Sequence, residues 1–83
     1  MRPGMGADRI YSARESLAHN VRWLRALRGL SQNRLLGDAG LTQGQVSAIE
    51  RGRANPTMES VERIARVLGV EVDALFAKPE RGR

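Results

Sequence analysis

Short apolar stripes with the period of a helix, opened by a hydroxyl residue and closed by glycine, constrain this chain more than any other feature. Serine and threonine accept hydrogen bonds from first-turn amides, and glycine adopts the left-handed conformation that ends many helices. The stripes open at Ser12, Ser31, Thr42 and Thr57, and they close at Gly29, Gly40 and Gly69. No segment alternates as a half-buried strand does. The pattern predicts an all-α fold, a compact bundle of four to five short helices.

The first and last helices are predicted in more detail. Ser12 and Glu15 fit a capping box, in which each residue bonds the other's backbone amide, although Ser16 is a competing cap. The last apolar segment is predicted as a short helix or turn that begins at Glu71 or is capped by Asp73.

The length of 83 residues leaves room for one domain with a small core. Only three aromatic residues are present, so that core has to be built from aliphatic side chains. We expect residues 12–76 to form the domain, residues 1–11 to be a flexible N-terminal arm, and residues 77–83 to be a basic C-terminal tail.

The composition argues against several classes of function. There is no cysteine and only one histidine, and we find neither a phosphate-binding loop nor a plausible carboxylate pair. We therefore expect no enzyme activity, no cofactor, no metal site and no small-molecule ligand. No apolar run approaches the roughly 18 residues of a membrane span, and the N-terminus does not resemble a secretory signal. A cytoplasmic location is the default expectation.

The positive charge of the chain has two explanations. The net charge is +5, and Lys78 is the only basic residue that is not arginine. Arginine suits planar contacts with phosphate and guanine, but a genome rich in arginine codons explains the same bias. An argument for nucleic-acid binding therefore needs a motif.

Such a motif lies in residues 32–51. A short helix is followed by Gly40, which permits a sharp turn, and then by a helix with its own capping box at Thr42 and Gln45. Gln43 and Ser47 fall on the outer face of that second helix. A helix N-terminus of this kind suits the major groove of DNA, and glutamine can pair with adenine through two hydrogen bonds. The alternative is a plain solvated face, and Gln45 is better explained as a capping residue.

At these residues the chain resembles the XRE family of helix-turn-helix regulators, which are similar to lambda repressor and Cro. The resemblance covers residues 17–76 without an insertion. It is carried by Asn20-Val21-Arg22-Trp23-Leu24-Arg25, Gly29-Leu30-Ser31-Gln32, Ala39-Gly40-Leu41-Thr42, Val46-Ser47-Ala48-Ile49-Glu50-Arg51-Gly52, Asn55-Pro56-Thr57 and Ile64-Ala65-Arg66-Val67-Leu68-Gly69-Val70.

The resemblance implies a five-helix fold that binds double-stranded DNA with its third helix in the major groove. Base contacts are expected from Gln43, Gly44 and Ser47. Contacts with the DNA backbone are expected from Gln32, Thr42, Arg51, Arg53 and Asn55. The resemblance also implies an ion pair behind the motif, between Arg25 and Glu50.

Three positions depart from the family pattern. Leu36 stands where a small residue is usual, so it should push the two helices apart or fill a gap. Gly44 stands where many relatives have a base-reading side chain, and its absence permits a closer approach of the backbone. Trp23 replaces a polar residue, and we expect it to be half-buried at the surface or packed under the N-terminal arm.

These features together predict a sequence-specific transcriptional regulator that acts as a homodimer on an inverted-repeat operator. The predicted dimer interface consists of Val70, Val72, Leu75 and Phe76. The alternative is that Leu75 and Phe76 close the monomer core, with the first helix and Trp23 as the next candidates for an interface. Restriction–modification controllers are the leading subtype, ahead of phage regulators and of antitoxins, which act mainly by binding a protein partner.

Overall fold

Residues 10–79 are described by a computed structural model, in which they form five helices and no strand. The helices are α1 (Ala13–Leu27), α2 (Gln32–Ala39), α3 (Gln43–Glu50), α4 (Met58–Leu68) and α5 (Val72–Leu75). The predicted all-α fold is confirmed. The parts of the predicted arm and tail in residues 1–9 and 80–83 lie outside the described residues.

Capping bonds account for where the first helix begins. The Ser12 hydroxyl accepts from the Glu15 amide at 3.1 Å, and the Glu15 carboxylate accepts from the Ser12 amide at 2.9 Å. Ser16 is buried inside α1 and is not the cap. At the other end of the chain, Glu71 precedes α5 without a side-chain capping bond, and Asp73 lies within that helix.

The turn between α2 and α3 depends on Gly40. Its φ of +71° lies in the left-handed region, which a residue with a Cβ adopts at a cost. The Leu41 amide then donates to the Leu36 carbonyl at 2.8 Å and closes the turn. Leu36 itself lies half-buried against the core, and α2 still packs on both α3 and α4. The larger side chain is therefore accommodated at the edge of the core.

An aliphatic core holds the five helices together. Its members are Leu17, Val21, Leu35, Ala39, Leu41, Val46, Ile49, Val61, Ile64, Ala65, Leu68 and Leu75. Each fully buried leucine, isoleucine or valine contributes about 1.5–3 kcal/mol relative to an exposed one. Because α1 packs on α3 and α5, and α2 packs on α4, the third helix rests on a base made by the others.

No helix within residues 10–79 is long and apolar enough to cross a membrane.

The C-terminal segment corrects one prediction. Leu75 has none of its surface exposed and belongs to the monomer core, so its side chain is not available to a dimer interface. Val70, Val72 and Phe76 are half-buried and pack against the same core. Leu75 is buried because the four-residue helix α5 packs against both α1 and α4.

A buried asparagine secures this arrangement. Asn20 is 1% exposed, and its Nδ2 donates to the Leu75 carbonyl at 3.0 Å and to the Ala77 carbonyl at 2.7 Å. Pro79 is also buried. The packed part of the chain therefore continues past Phe76 into the segment predicted as a tail.

Candidate nucleic-acid interface

The start of α3 is fixed by a reciprocal pair of capping bonds. The Thr42 hydroxyl accepts from the Gln45 amide at 3.1 Å, and the Gln45 side-chain oxygen accepts from the Thr42 amide at 2.8 Å. Gln45 is therefore a capping residue, as predicted. A capped helix start holds its remaining first-turn amides in one orientation, with the positive end of the helix dipole facing outward.

The outer face of α3 presents polar and small residues. Gln43 and Gly44 are exposed, and Ser47, one turn further on, is half-buried. On the inner face Val46 and Ile49 are 1% and 3% exposed, which ties α3 to the core. The structure thus brings the three predicted base-contact residues to the outer face of one helix, where Ser47 is partly exposed.

Gly44 leaves the surface of α3 open. A Cβ built on this residue would meet nothing closer than the Thr42 hydroxyl, at 4.0 Å. A side chain would therefore fit here in the free protein. Any requirement for glycine has to come from something that approaches the helix from outside.

Exposed arginine side chains follow directly after α3. Arg51, Arg53 and Asn55 are all exposed. Two arginines elsewhere have acidic partners: Arg34 pairs with Asp38, and Arg63 pairs with Glu59, each at 2.8 Å. Arg51 and Arg53 form no ion pair among residues 10–79. Their positive charge is therefore available to an anionic partner.

A recess of about 440 Å³ lies between α3 and the beginning of α4, and sequence reasoning did not anticipate it. Its polar lining includes Thr42, Asn55, Thr57 and Ser60. Gly44 forms part of the same wall. The recess joins two predicted backbone contacts, Thr42 and Asn55, to the exposed start of α3.

Behind this surface Arg25 of α1 and Glu50 of α3 form a bidentate ion pair, the arrangement implied by the family resemblance. The Arg25 Nε lies 2.8 Å from one carboxylate oxygen of Glu50, and Nη2 lies 3.1 Å from the other. The Glu50 side chain is 5% exposed and that of Arg25 is 22% exposed. Arg25 also donates to the Leu30 carbonyl at 2.9 Å, and Arg22 donates to the Glu50 backbone carbonyl. The pair therefore braces α1, the turn after it and the end of α3.

Gln32 links this ion pair to the exposed surface. Its Nε2 donates to Glu50 at 2.8 Å, and its side-chain oxygen accepts from the Gln43 Nε2 at 3.1 Å. The side chain predicted to contact phosphate thus already has protein partners for both its nitrogen and its oxygen. One N–H of its amide group and its backbone amide at the first position of α2 remain for DNA.

Sequence reasoning missed Gln32 as a connector and Asn20 as a tie to the C-terminal segment. The contact between Gln32 and Glu50 spans 18 residues, and Asn20 reaches 55 residues along the chain to Leu75. Neither contact is marked by a local spacing. The one available signal for Asn20 was its place next to Val21, within the buried part of α1.

The turn after α2, the capped α3 and the exposed residues around it define a helix-turn-helix protein of the XRE type. The profile of the helix-turn-helix family matches residues 21–75, two thirds of the chain, and the chain belongs to this family.

Individual relatives agree with the family assignment. A hypothetical transcription factor of Neisseria meningitidis is 39% identical over 67 residues, which cover 81% of this chain and 63% of that protein. The chain thus spans less than two thirds of the length of this curated relative. The crystal structure of a hypothetical transcription factor from Neisseria superposes with a TM-score of 0.78 at 38% identity, covering 82% of this chain and 78% of that one. The restriction-modification controller protein C.AhdI from Aeromonas hydrophila superposes with a TM-score of 0.74 at 32% identity, covering 80% of this chain and all of that one.

Proposed function

We propose that this protein is a sequence-specific regulator of transcription that places α3 in the major groove of double-stranded DNA. The observation that carries the proposal is the exposed N-terminal face of α3, which is capped, packed on the core and followed by two arginines that form no ion pair among residues 10–79. The helix-turn-helix family and the similarity to a hypothetical transcription factor of Neisseria meningitidis support the same function.

Gln43 is the principal base-reading residue in this proposal. It begins α3, its side chain is exposed, and its hydrogen bond with Gln32 restricts the orientation of its amide. One N–H and the oxygen of a glutamine amide match N7 and N6 of adenine. Gly44 and Ser47 add a close approach of the helix backbone and a hydroxyl group on the same surface.

The DNA backbone is contacted on either side of α3. Arg51 and Arg53 supply positive charge after the end of α3, and Thr42 and Asn55, which line the recess, supply hydrogen-bonding groups. The amide of Gln32 at the start of α2 adds a further donor. Such contacts orient the protein and provide affinity, while the bases provide specificity.

A homodimer on an inverted repeat is the form that we propose for the DNA complex. Val70, Val72 and Phe76 present a partly exposed apolar surface around α5. A two-fold dimer would carry two copies of α3 to half-sites about one DNA turn apart, roughly 34 Å. The proposed interface retains three of the four predicted residues and excludes Leu75.

Two variants separate base reading from backbone contact. Gln43→Ala should remove discrimination at one base position in each half-site, at a cost of about 1–3 kcal/mol for the preferred duplex. Arg53→Ala should weaken binding to all duplexes alike and reduce the slope of log K against log salt. Fluorescence anisotropy with the preferred duplex and a scrambled one, at several salt concentrations, measures both effects. Equal losses on the two duplexes for Gln43→Ala would contradict its base-reading role.

A restriction–modification controller is the subtype that we favour. The match to C.AhdI covers that controller over its full length, and most of the present chain. Binding to the DNA upstream of its own gene, with a methyltransferase gene alongside, would support this subtype. A strong preference for an unrelated promoter would argue for another kind of regulator.

A further inference from the structure

We propose that Glu50 is a positioning residue that sets the orientation of the Gln43 amide through Gln32 and thereby makes the site select adenine over guanine. The inference rests on the proposed base-reading role of Gln43. It assigns the choice of base to a residue of the interior, one that does not itself face the DNA.

Two hydrogen bonds, from Gln32 to Glu50 and from Gln43 to Gln32, form what we call the relay. It starts from a group that can only accept hydrogen bonds. The Glu50 carboxylate is 5% exposed, and Arg25 holds it through both of its oxygens. An ionised carboxylate has no proton to donate. The amide of Gln32 must therefore turn its Nε2 toward Glu50, at 2.8 Å, which points its oxygen away from Glu50.

The orientation of the Gln32 amide in turn determines the orientation of the Gln43 amide. The Gln32 oxygen needs a donor, and the Gln43 Nε2 supplies one at 3.1 Å. A reversed Gln43 amide would bring two oxygens together. Gln43 is thus left with one N–H and with its oxygen for a partner outside the protein.

This remaining pattern distinguishes two purines. Adenine presents an acceptor at N7 and a donor at N6, which one N–H and one oxygen can satisfy. Guanine presents two acceptors, N7 and O6, and needs two donors. As long as the relay keeps one Gln43 N–H bonded to Gln32, guanine can be offered only one. Releasing that N–H would let the Gln43 amide group donate to both atoms.

Two variants interrupt the relay at different points. Gln32→Met removes the amide and leaves the Arg25–Glu50 ion pair in place. Glu50→Gln substitutes a group that can donate, so Gln32 can reverse and accept from position 50 while its own Nε2 donates to the Gln43 oxygen. Both changes leave two N–H groups on Gln43 for DNA. Asn33→Met, at an exposed neighbour of Gln32 in the same helix, is the matched control.

The test measures affinity of the full chain for its preferred duplex and for versions with every base pair substituted at every half-site position. The position at which Gln43→Ala abolishes the preference identifies the base that Gln43 reads. At that position we expect Gln32→Met and Glu50→Gln to reduce the adenine-to-guanine affinity ratio about tenfold, within the range for one bidentate contact. Asn33→Met should leave the ratio unchanged. Circular dichroism should show that both variants are folded. A folded Glu50→Gln variant with the original ratio would overturn the role of Glu50, and an unchanged ratio in Gln32→Met would overturn the relay even if Glu50→Gln unfolds.

The outcomes separate the relay from the proposed function. A preference at this position that depends on Gln43, with the same adenine-to-guanine ratio in Gln32→Met as in the original chain, would overturn the relay and leave base reading intact. A Gln43→Ala variant that loses affinity equally for all duplexes would overturn both. A general loss of affinity in Gln32→Met at an unchanged ratio would show that Gln32 contacts phosphate only, which also overturns the relay.

Discussion

At the scale of single residues, the ion pair between Arg25 and Glu50 stabilises the fold and also contacts Gln32, which bonds the DNA-facing residue Gln43. The carboxylate is more deeply buried than the guanidinium, and it also accepts from Gln32. Removing one member of a buried pair leaves the other charge desolvated without its partner. The loss in the free energy of unfolding should therefore differ between alanine variants of the two residues.

We expect Arg25→Ala to lower the free energy of unfolding by about 3 kcal/mol, and Glu50→Ala by less, because the Arg25 side chain can reach water. The double variant should cost less than the sum of the two. Urea unfolding of the two single variants and the double variant gives the coupling energy. Additive losses would show that the pair contributes no interaction of its own.

A second residue-scale prediction compares two glycines. Gly37 in α2 and Gly44 in α3 are both helical, and a Cβ would fit at either. Alanine at each should stabilise the free protein, by about 0.5–1 kcal/mol in a helix interior and less in the first turn. Only Gly44→Ala should weaken DNA binding, because only that residue lies on the face of α3 that we place against the bases. If both variants bind DNA like the original chain, the α3 backbone does not approach DNA closely at Gly44.

At the scale of elements, the local signals were sufficient for the helices and their limits. Ser12 and Thr42 form the predicted capping boxes, and Gly40 has the positive φ that the turn requires. Each of these features depends on residues only a few positions apart, so it can be recognised in a single sequence. The division of α5 between core and surface was not predictable in this way, because Leu75 is buried by α1 and α4 from distant parts of the chain.

The candidate site shows the same division. The positions of Gln43 and Gly44 on the outer face follow from helical period, since Val46 and Ile49 face inward. The hydrogen bonds that hold Gln43 in place join α1, α2 and α3, and nothing in the spacing of Gln32 indicates that it would bridge to Glu50. Local patterns thus indicated which groups face outward, but only the packed structure shows what positions them.

At the scale of the whole molecule, the surface around α5 is expected to hold two copies together. Val72→Asp places a charge on this half-buried apolar surface, and circular dichroism on the variant establishes that the monomer is folded before its assembly is measured. We expect sedimentation to show a monomer and operator binding to lose cooperativity. Leu27→Asp is the control, because Leu27 is 60% exposed on α1 and lies outside the proposed interface. A dimer that survives Val72→Asp but dissociates in Leu27→Asp would move the interface to α1.

Recognition of a DNA sequence by the whole chain is tested most directly by selection from a pool of random duplexes. The purified chain should enrich a two-fold symmetric site whose half-sites lie about one helical turn apart. The logarithm of the binding constant for that site should fall linearly with the logarithm of the salt concentration, because phosphate contacts release counterions. A pool that stays random after repeated rounds with folded protein would contradict sequence-specific recognition.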